Sequence, residues 1–237
     1  GRIGNSELGV NLLKETDEAK SIQLANKLDE FNQKRKFLTV ELESKVIGQI
    51  EKLKADNNQI TPNVLVINGS DFHEGIIGII AGRMKELYNR PVCIIAINKN
   101  GIGKGSGRSI QGIPLGDLIL EALNSKLISS GGGHDMAAGF TIDPSKIKMF
   151  NDFLLEKVNI LMQKGVPQVS YIATSVIPIS ACTLEVANWL DTLGPWGTNM
   201  EEPKFIISNA KISSLRRFGI NNEHVSFYIT DGTSKKL

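Results

Sequence analysis

Residues 131–139 read GGGHDMAAG, and this stretch decides the fold of the centre of the chain. Three consecutive glycines permit backbone conformations that other residues avoid, and no side chains shield their N–H groups. His134 follows them directly, and its imidazole can gain or lose a proton near neutral pH. A loop of this composition is suited to bringing backbone donors and an imidazole to a phosphate. The structural alternative is a tight turn before a buried strand, with His134 packed in the core.

Two further motifs precede this stretch in the chain. Residues 71–83 read DFHEGIIGIIAGR, and residues 105–109 read GSGRS. Together with residues 131–139, they resemble, in the same order, motifs of the DHHA1 domain, which is the substrate-binding half of the DHH phosphoesterases. Within that family the resemblance is to the exonucleases specific for single-stranded DNA, and it covers nearly the whole chain. Three motifs in the required order are hard to obtain by chance.

The composition is that of an ordinary globular chain, with 237 residues, 41% of them hydrophobic, a net charge of +2 and a pI of about 8.5. So small a charge gives no argument for nucleic-acid binding, and any basic surface must therefore be local. The longest apolar runs fall far short of the ~20 residues that span a bilayer, and no signal peptide is visible. Cys93 and Cys182 lie far apart, and we expect them to be reduced core residues of a cytoplasmic protein.

The first part of the chain is predicted to be helical. Apolar residues recur at gaps of three, four and seven over 17–55, a helix of roughly 60 Å, and Thr16 is expected to supply a hydroxyl cap at its start. A helix of this length in a small protein is a spacer or a coiled coil, and the resemblance favours a spacer over residues 14–58. Residues 1–13 are then expected to be the tail of an upstream DHH domain, because the chain opens on Gly-Arg-Ile-Gly without a methionine.

Residues 59–165 are predicted to form the DHHA1 domain, in which strands alternate with helices around a mixed sheet. The predicted strands are 64–67, 92–97, 103–110 and 136–142, and the predicted helices are 75–88, 115–123 and 144–162. The glycines of 103–110 are expected to permit close approach of a ligand. Residues 165–167 are expected to act as a hinge.

Residues 166–237 are predicted to form a truncated OB-fold domain, with strands at 170–177, 203–215 and 224–230 and one helix near 184–193. The stretch at 193–199 resembles the family's connection into that barrel, although Thr198 and Met200 replace its second glycine and its proline. OB barrels bind single strands through basic grooves and aromatic platforms. Arg216 and Arg217, followed by Phe218, are the candidates for such a surface, and a solvated hairpin tip is the alternative. Trp189 and Trp196 are expected in the core.

The predicted fold is thus α/β: a mixed-sheet DHHA1 domain preceded by a long connecting helix and followed by a partial OB-fold β-barrel.

The resemblance also implies the site. DHH enzymes hydrolyse phosphodiesters with two divalent ions, Mn²⁺ or Mg²⁺, held by Asp and His residues of the DHH domain. This chain contains no Asp-His-His or Asp-x-Asp motif, so we expect it to supply no metal ligands and to be inactive by itself. His134 is expected to face the scissile phosphate as the catalytic residue. The expected phosphate- or DNA-binding residues are Ser106, Gly107, Arg108, Gly132, Gly133, Arg2, His73, Arg216 and Arg217.

The function implied is that of the substrate-binding half of a 5′→3′ single-stranded-DNA exonuclease in DNA repair and recombination. The expected partners are single-stranded DNA, a helicase and a single-strand-binding protein, with no membrane and no second copy of the chain. Two alternatives stay open: a small-substrate phosphodiesterase of the same family, acting on oligonucleotides or cyclic dinucleotides, and a non-catalytic single-strand-binding scaffold.

Overall fold

The computed structural model describes residues 2–163, 165, 172–197, 200–219, 222–232 and 235–236. The chain divides into two compact units, Gly1–Gln168 and Val169–Leu237. Gly1, Val166, Pro167 and Thr198, which belong to the predicted tail, hinge and connection, lie outside the described residues.

Two helices open the first unit: α1, Glu7–Lys14, and α2, Glu18–Asp56. The long helix was predicted, but its cap is Asp17, not Thr16, because the Asp17 carboxylate accepts the Lys20 N–H at 2.9 Å. The short helix α1 was not predicted, and it lies in the segment expected to be a tail. All the buried residues of α2 lie in its second half, where Leu42, Val46 and Ile50 pack into the core.

A five-stranded sheet follows. Its elements in chain order are β1 Leu65–Gly69, α3 Ile77–Tyr88, β2 Val92–Ile97, β3 Gly103–Arg108, α4 Leu115–Asn124, β4 Ser130–His134, β5 Ala137–Ile142 and α5 Ile147–Gln163, the last preceded by the 3₁₀ turn Pro144–Lys146. The strand order is β1-β2-β3-β5-β4, with β1 and β2 parallel and the other pairs antiparallel. The predicted mixed α/β sheet is therefore confirmed.

The glycine-rich stretch differs from the prediction. Residues 131–134 lie in strand β4 at the edge of the sheet, and Asp135 and Met136 make the turn to β5. The stretch is therefore a hairpin and not a loop before a single strand. Glycine suits this place because β4 approaches both its partner strand and α4 too closely for most side chains.

Each face of the sheet has its own core. Helices α4 and α5 cover one face, where Phe140 and Phe150 pack with ring centroids 4.9 Å apart. Helices α2 and α3 cover the other face through residues such as Ile67, Ile80 and Ile94. On that second face the buried residues belong to β1 and β2, so the part formed by β3, β5 and β4 stays accessible.

The glycines of β3 make room for core side chains, and the expectation that they permit close approach of a ligand stays a prediction. A Cβ atom on Gly105 would lie 2.2 Å from the Phe140 ring, and one on Gly107 would lie 2.6 Å from Leu115. These glycines let the aromatic and aliphatic side chains of the α4–α5 face pack directly on the strand.

The second unit contains helix α6, Leu184–Thr192, and short strands. Strands β6, Ser175–Val176, and β7, Phe205–Ile206, form a parallel pair, while β8, Lys211–Phe218, β9, His224–Thr230, and β10, Lys235–Lys236, form an antiparallel sheet in the order β10-β9-β8. The predicted strand over 203–215 is thus two strands, separated by a turn in which Asn209 has a φ of 58°. The partial OB-like strands that were predicted are confirmed.

The cysteines and tryptophans only partly follow the prediction. Cys93 is fully buried, and burial raises the pKa of its thiol to about 12. Cys182 is only half-buried, and Trp189 is 69% exposed, so the expectation of a core position was wrong for both. Within the described residues, no helix is both long enough and apolar enough to cross a membrane.

Candidate phosphate-binding cleft

The accessible part of the sheet is organised in three rows of residues that pair across β3, β5 and β4. Because directly paired residues of antiparallel strands share a face, each row presents its side chains together. The arginine row is Arg108, Ala137 and His134; the serine row is Ser106, Gly139 and Gly132; the lysine row is Lys104, Thr141 and Ser130.

The serine and lysine rows, together with Arg108 of the arginine row, form the floor of a cleft of about 470 Å³. Its lining includes Lys104, Ser106, Arg108, Ser130, Gly132, Gly139 and Thr141 from the sheet, and Arg2, Glu74, Gly75, Ile77 and Gly78 from the N-terminal segment and the start of α3. Residues that are far apart in the chain therefore meet here, and four of the predicted site residues, Arg2, Ser106, Arg108 and Gly132, are among them.

Arg108 and Ser106 are adjacent on the floor of the cleft. The Arg108 guanidinium donates from Nη1 to the Gly107 carbonyl oxygen at 2.8 Å and to Ser106 Oγ at 3.4 Å. No carboxylate forms an ion pair with Arg108 within the part of the chain that the structure describes. A half-buried guanidinium beside a hydroxyl is suited to an anionic ligand such as a phosphate.

The first turn of α3 closes the cleft beside these two side chains. A Cβ atom on Gly78 would lie 3.0 Å from Ser106 Oγ and 3.4 Å from Arg108 Nη2, so glycine allows the helix to approach them closely. The N–H groups at the start of a helix lack intrahelical acceptors and carry partial positive charge. The helix therefore adds a favourable environment for the anion that Arg108 would bind.

Arg2 reaches the cleft because of another glycine. A Cβ atom on Gly75 would lie only 1.7 Å from the Arg2 carbonyl oxygen, so any larger residue would displace this N-terminal segment. His73 stabilises the same turn, since its Nδ1 accepts the Gly75 N–H at 3.0 Å. The structure thus places His73 in the turn before α3, outside the residues that line the cleft.

The three glycines of β4 do not share one role. A Cβ atom on Gly132 would meet nothing within 4 Å, whereas one on Gly131 would lie 2.9 Å from Ile119 and Ile128. One on Gly133 would lie 2.3 Å from the Ala137 carbonyl oxygen. Only Gly132 of the predicted pair Gly132 and Gly133 therefore stands in the rows that face the cleft.

His134 ends the arginine row at the exposed edge of the sheet. Its position is fixed by the turn that follows, because the Leu115 N–H donates to the Asp135 carbonyl oxygen at 3.0 Å and the Ser109 N–H to the Met136 carbonyl oxygen at 2.9 Å. The imidazole does not line the cleft itself, and it is available to a group that approaches from beside the sheet.

The remaining predicted residues lie elsewhere. Gly107 faces the core, and only its carbonyl oxygen contributes, by orienting Arg108. Arg216 and Arg217 are consecutive exposed residues of β8 in the second unit, so their side chains point to opposite faces of that strand. Phe218 shares a face with Arg216 and lies 5.4 Å from the His224 ring, measured between centroids.

Sequence reasoning missed the lysine row. Lys104, Thr141 and Ser130 line the same cleft as Ser106 and Arg108. The signal was present in the sequence, because Lys104 stands two residues before Ser106 and four before Arg108, and alternate residues of a strand share a face.

No group of three or more His, Cys, Asp and Glu side chains that could hold a metal occurs within the described ranges. The expectation that this chain supplies no metal ligands stays a prediction.

Comparisons with known proteins agree with this architecture. A family model for the DHHA1 domain matches residues 61–159, and a model for the RecJ OB domain matches residues 174–237. The single-stranded-DNA-specific exonuclease RecJ of Escherichia coli is 34% identical over 207 residues, 86% of this chain, and that of Haemophilus influenzae is 31% identical over 97% of it. The chain spans 36% and 40% of these two proteins, respectively.

A solved structure is similar over nearly the whole chain. The crystal structure of RecJ from Thermus thermophilus in complex with Mg²⁺ aligns with 98% of this chain at a TM-score of 0.77 and 26% identity, and this chain covers 34% of it. The complex of the same protein with Mn²⁺ gives the same TM-score and identity.

Proposed function

We propose, from the match of residues 61–159 to a DHHA1 domain model and of residues 174–237 to a RecJ OB domain model, that this chain is the substrate-binding part of an exonuclease specific for single-stranded DNA. The observation that carries the proposal is the juxtaposition of Arg108, Ser106 and the start of α3 in one open cleft. The proposed reaction is 5′→3′ hydrolysis of phosphodiesters in DNA repair and recombination, in the cytoplasm.

The cleft binds the strand through its phosphates. Arg108 donates two hydrogen bonds to a phosphate from its guanidinium, Ser106 donates one from its hydroxyl, and Arg2 adds charge from the other side. The bound phosphate is the 5′-terminal one. Gly132 leaves room beside it, because the floor of the cleft carries no side chain at that point.

The hydrolytic step needs more than these residues supply. The related structures contain Mg²⁺ or Mn²⁺. The described residues of this chain offer no ligand set for such ions, so we assign two-ion chemistry to a DHH domain of the whole protein. The role of this chain is to hold the DNA strand in position. The His134 imidazole donates a hydrogen bond to the scissile phosphate.

The second unit also binds single-stranded DNA. Arg216 and Phe218 share one face of β8, and the His224 ring lies beside Phe218, so a cation and two rings are exposed together. Such a surface suits the stacking of bases and the attraction of a single strand. A helicase and a single-strand-binding protein are the proposed protein partners of the whole enzyme, which acts as a monomer.

Binding to labelled oligonucleotides tests the proposal on the chain itself. We expect weak binding that prefers a 5′-phosphorylated single strand over the corresponding duplex and decreases steeply with salt, because phosphate contacts dominate. Arg108→Ala should reduce this binding. Equal affinity for both forms of DNA, or no binding at low salt, would contradict the proposed function.

A further inference from the structure

Lys104 is an exposed cation on the floor of the cleft. Its Nζ donates to Thr141 Oγ1 at 2.9 Å, and no carboxylate forms an ion pair with it within the described ranges. Lys45, Lys54 and Lys157, by contrast, are each neutralised by an acidic side chain. The charge of Lys104 therefore remains available to a ligand.

Two hydroxyl groups accompany this cation. Thr141 pairs with Lys104 on one side and with Ser130 on the other, so the ammonium and both hydroxyls lie on the same face of the sheet. All three residues line the cleft. Arg108 and Ser106 likewise combine a cation with a hydroxyl group, so the cation flanked by two hydroxyl groups is suited to the same kind of ligand.

The distance between the two clusters matches their proposed occupants. Lys104 and Ser106 belong to adjacent rows, two residues apart along β3, which corresponds to roughly 6.6 Å at 3.3 Å per residue. The row of Arg108 lies four residues from Lys104, but the Arg108 guanidinium reaches back to Ser106 Oγ at 3.4 Å. The separation of Lys104 and Ser106 is comparable with that of consecutive phosphates along an extended single strand. Gly139 and Gly132 lie in the row between Thr141 and the arginine row, and the absence of side chains there leaves room for the sugar that joins two phosphates.

We propose that Lys104, with the hydroxyl groups of Thr141 and Ser130, forms a second phosphate subsite that binds the phosphodiester one nucleotide away from the phosphate held by Ser106 and Arg108. This inference rests on the proposed function, because it requires a phosphate at Arg108. Glu74 lines the cleft from the segment before α3, so Lys104 also offsets the repulsion of the strand by that carboxylate.

The test compares two nucleotides that differ by one phosphate. Thymidine 5′-monophosphate can occupy only one subsite at a time, whereas thymidine 3′,5′-bisphosphate carries two phosphates on one nucleoside and can occupy both. Affinities of the 237-residue chain for each are measured by nuclear magnetic resonance titration or calorimetry at low salt. We expect the second phosphate to strengthen binding by about fivefold, the effect of roughly 1 kcal/mol for an exposed ion pair.

Three variants test whether the second subsite causes the stronger binding of the bisphosphate. Lys104→Ala should abolish the advantage of the bisphosphate, and Ser130→Ala should reduce it, since both side chains are exposed and neither supports the core. Lys99→Ala is the matched control: it removes the same charge from the turn between β2 and β3, outside the lining of the cleft, and should leave the advantage unchanged.

The outcomes separate the subsite from the proposed function. If the bisphosphate keeps its advantage in Lys104→Ala, or if that change weakens both nucleotides by the same factor, the second subsite does not exist. Arg108→Ala should weaken both nucleotides. If it weakens neither, the proposed phosphate site at Arg108 fails, and the inference fails with it.

Discussion

Arg108 and His134 lie in the same cross-strand row of the sheet, each paired with Ala137 of the intervening strand β5. Two sequence motifs that are separated in the chain thus place their candidate side chains on one face. The guanidinium lies at the cleft and the imidazole at the edge of the sheet, so under the proposed function the two would contact different phosphates of one strand.

The first prediction concerns the 5′ end of the substrate. In the whole enzyme, Arg108→Ala should remove a charge-assisted contact worth about 1.5–3 kcal/mol. The decrease in kcat/KM should be large on 5′-phosphorylated strands and small on 5′-hydroxyl strands. Lys99→Ala is the control, because Lys104 lines the same cleft and is not a neutral comparison. If the variant slows hydrolysis of 5′-phosphorylated and 5′-hydroxyl strands equally, Arg108 is a general phosphate contact and does not recognise the 5′ end.

The second prediction concerns His134. His134→Ala in the whole enzyme should lower kcat on 5′-phosphorylated and 5′-hydroxyl strands alike, because every substrate contains the scissile phosphate. Steady-state kinetics on the two labelled substrates measures this. A defect confined to one type of 5′ end would contradict the proposed position of the imidazole.

A third prediction contrasts two glycines. Gly105→Ala should destabilise the chain by about 1–3 kcal/mol, because the new methyl group would meet the Phe140 ring at 2.2 Å and Phe150 packs against that ring. Gly132→Ala should keep the stability, since nothing lies within 4 Å of its Cβ position, and should weaken DNA binding. Thermal denaturation and oligonucleotide titration together distinguish the two. Similar melting temperatures for both variants would show that the faces are assigned wrongly.

The fourth prediction is a pH dependence. The hydrogen bond from Lys45 lowers the pKa of Asp71, and the same bond raises the pKa of Lys45 to about 12. The pair, which joins α2 to the turn before α3, therefore stabilises the fold fully between the ordinary values of 3.8 and 10.5. Its contribution disappears as the pH falls through the lowered pKa of Asp71 or rises through that of Lys45.

Asp71→Asn measures this contribution. Its melting temperature should lie slightly below that of the unchanged chain at neutral pH, because both partners are exposed and the pair is screened by water. The difference should vanish in strong acid. A difference that persists there would assign the effect to packing and not to the ion pair.

The fifth prediction concerns activity of the chain alone. Without a ligand set for divalent ions among its described residues, the purified chain should not degrade single-stranded DNA in the presence of Mn²⁺. A labelled oligonucleotide incubated with and without a chelator is sufficient. Degradation that the chelator stops, in a preparation free of other nucleases, would overturn the assignment of chemistry to another domain.

The sequence predicted most elements of the first unit because their signals are local. The periodicity of α2 and the apolar run of β2 appear directly in the pattern of residues, and β2 has the predicted bounds. Strand β4 was missed because its glycines have no side chains from which an alternation could be detected. Its strand conformation comes from pairing with β5, which is a contact between segments.

The sequence predicted some residues of the cleft but not how they are arranged on the sheet. Motifs predicted Ser106 and Arg108 as phosphate ligands, and these roles stay predictions. Only the register of the strands shows that Lys104 shares their face and that Gly107 and Gly133 do not. Trp189 was misplaced because its size favours burial in general, whereas the described part of the second unit leaves it exposed.

The hairpin formed by β4 and β5 has a consequence for insertions and deletions. Because the turn at 135–136 fixes the pairing of His134 with Ala137, removing one glycine from 131–133 would leave His134 in place and turn the residues before the deletion, Ser130 among them, to the opposite face. Removing two residues would restore the original orientation in a shorter strand. Length changes in this hairpin should therefore be accepted more readily in even numbers than in odd ones, provided that glycine stays at the positions where a side chain would meet the core or the partner strand.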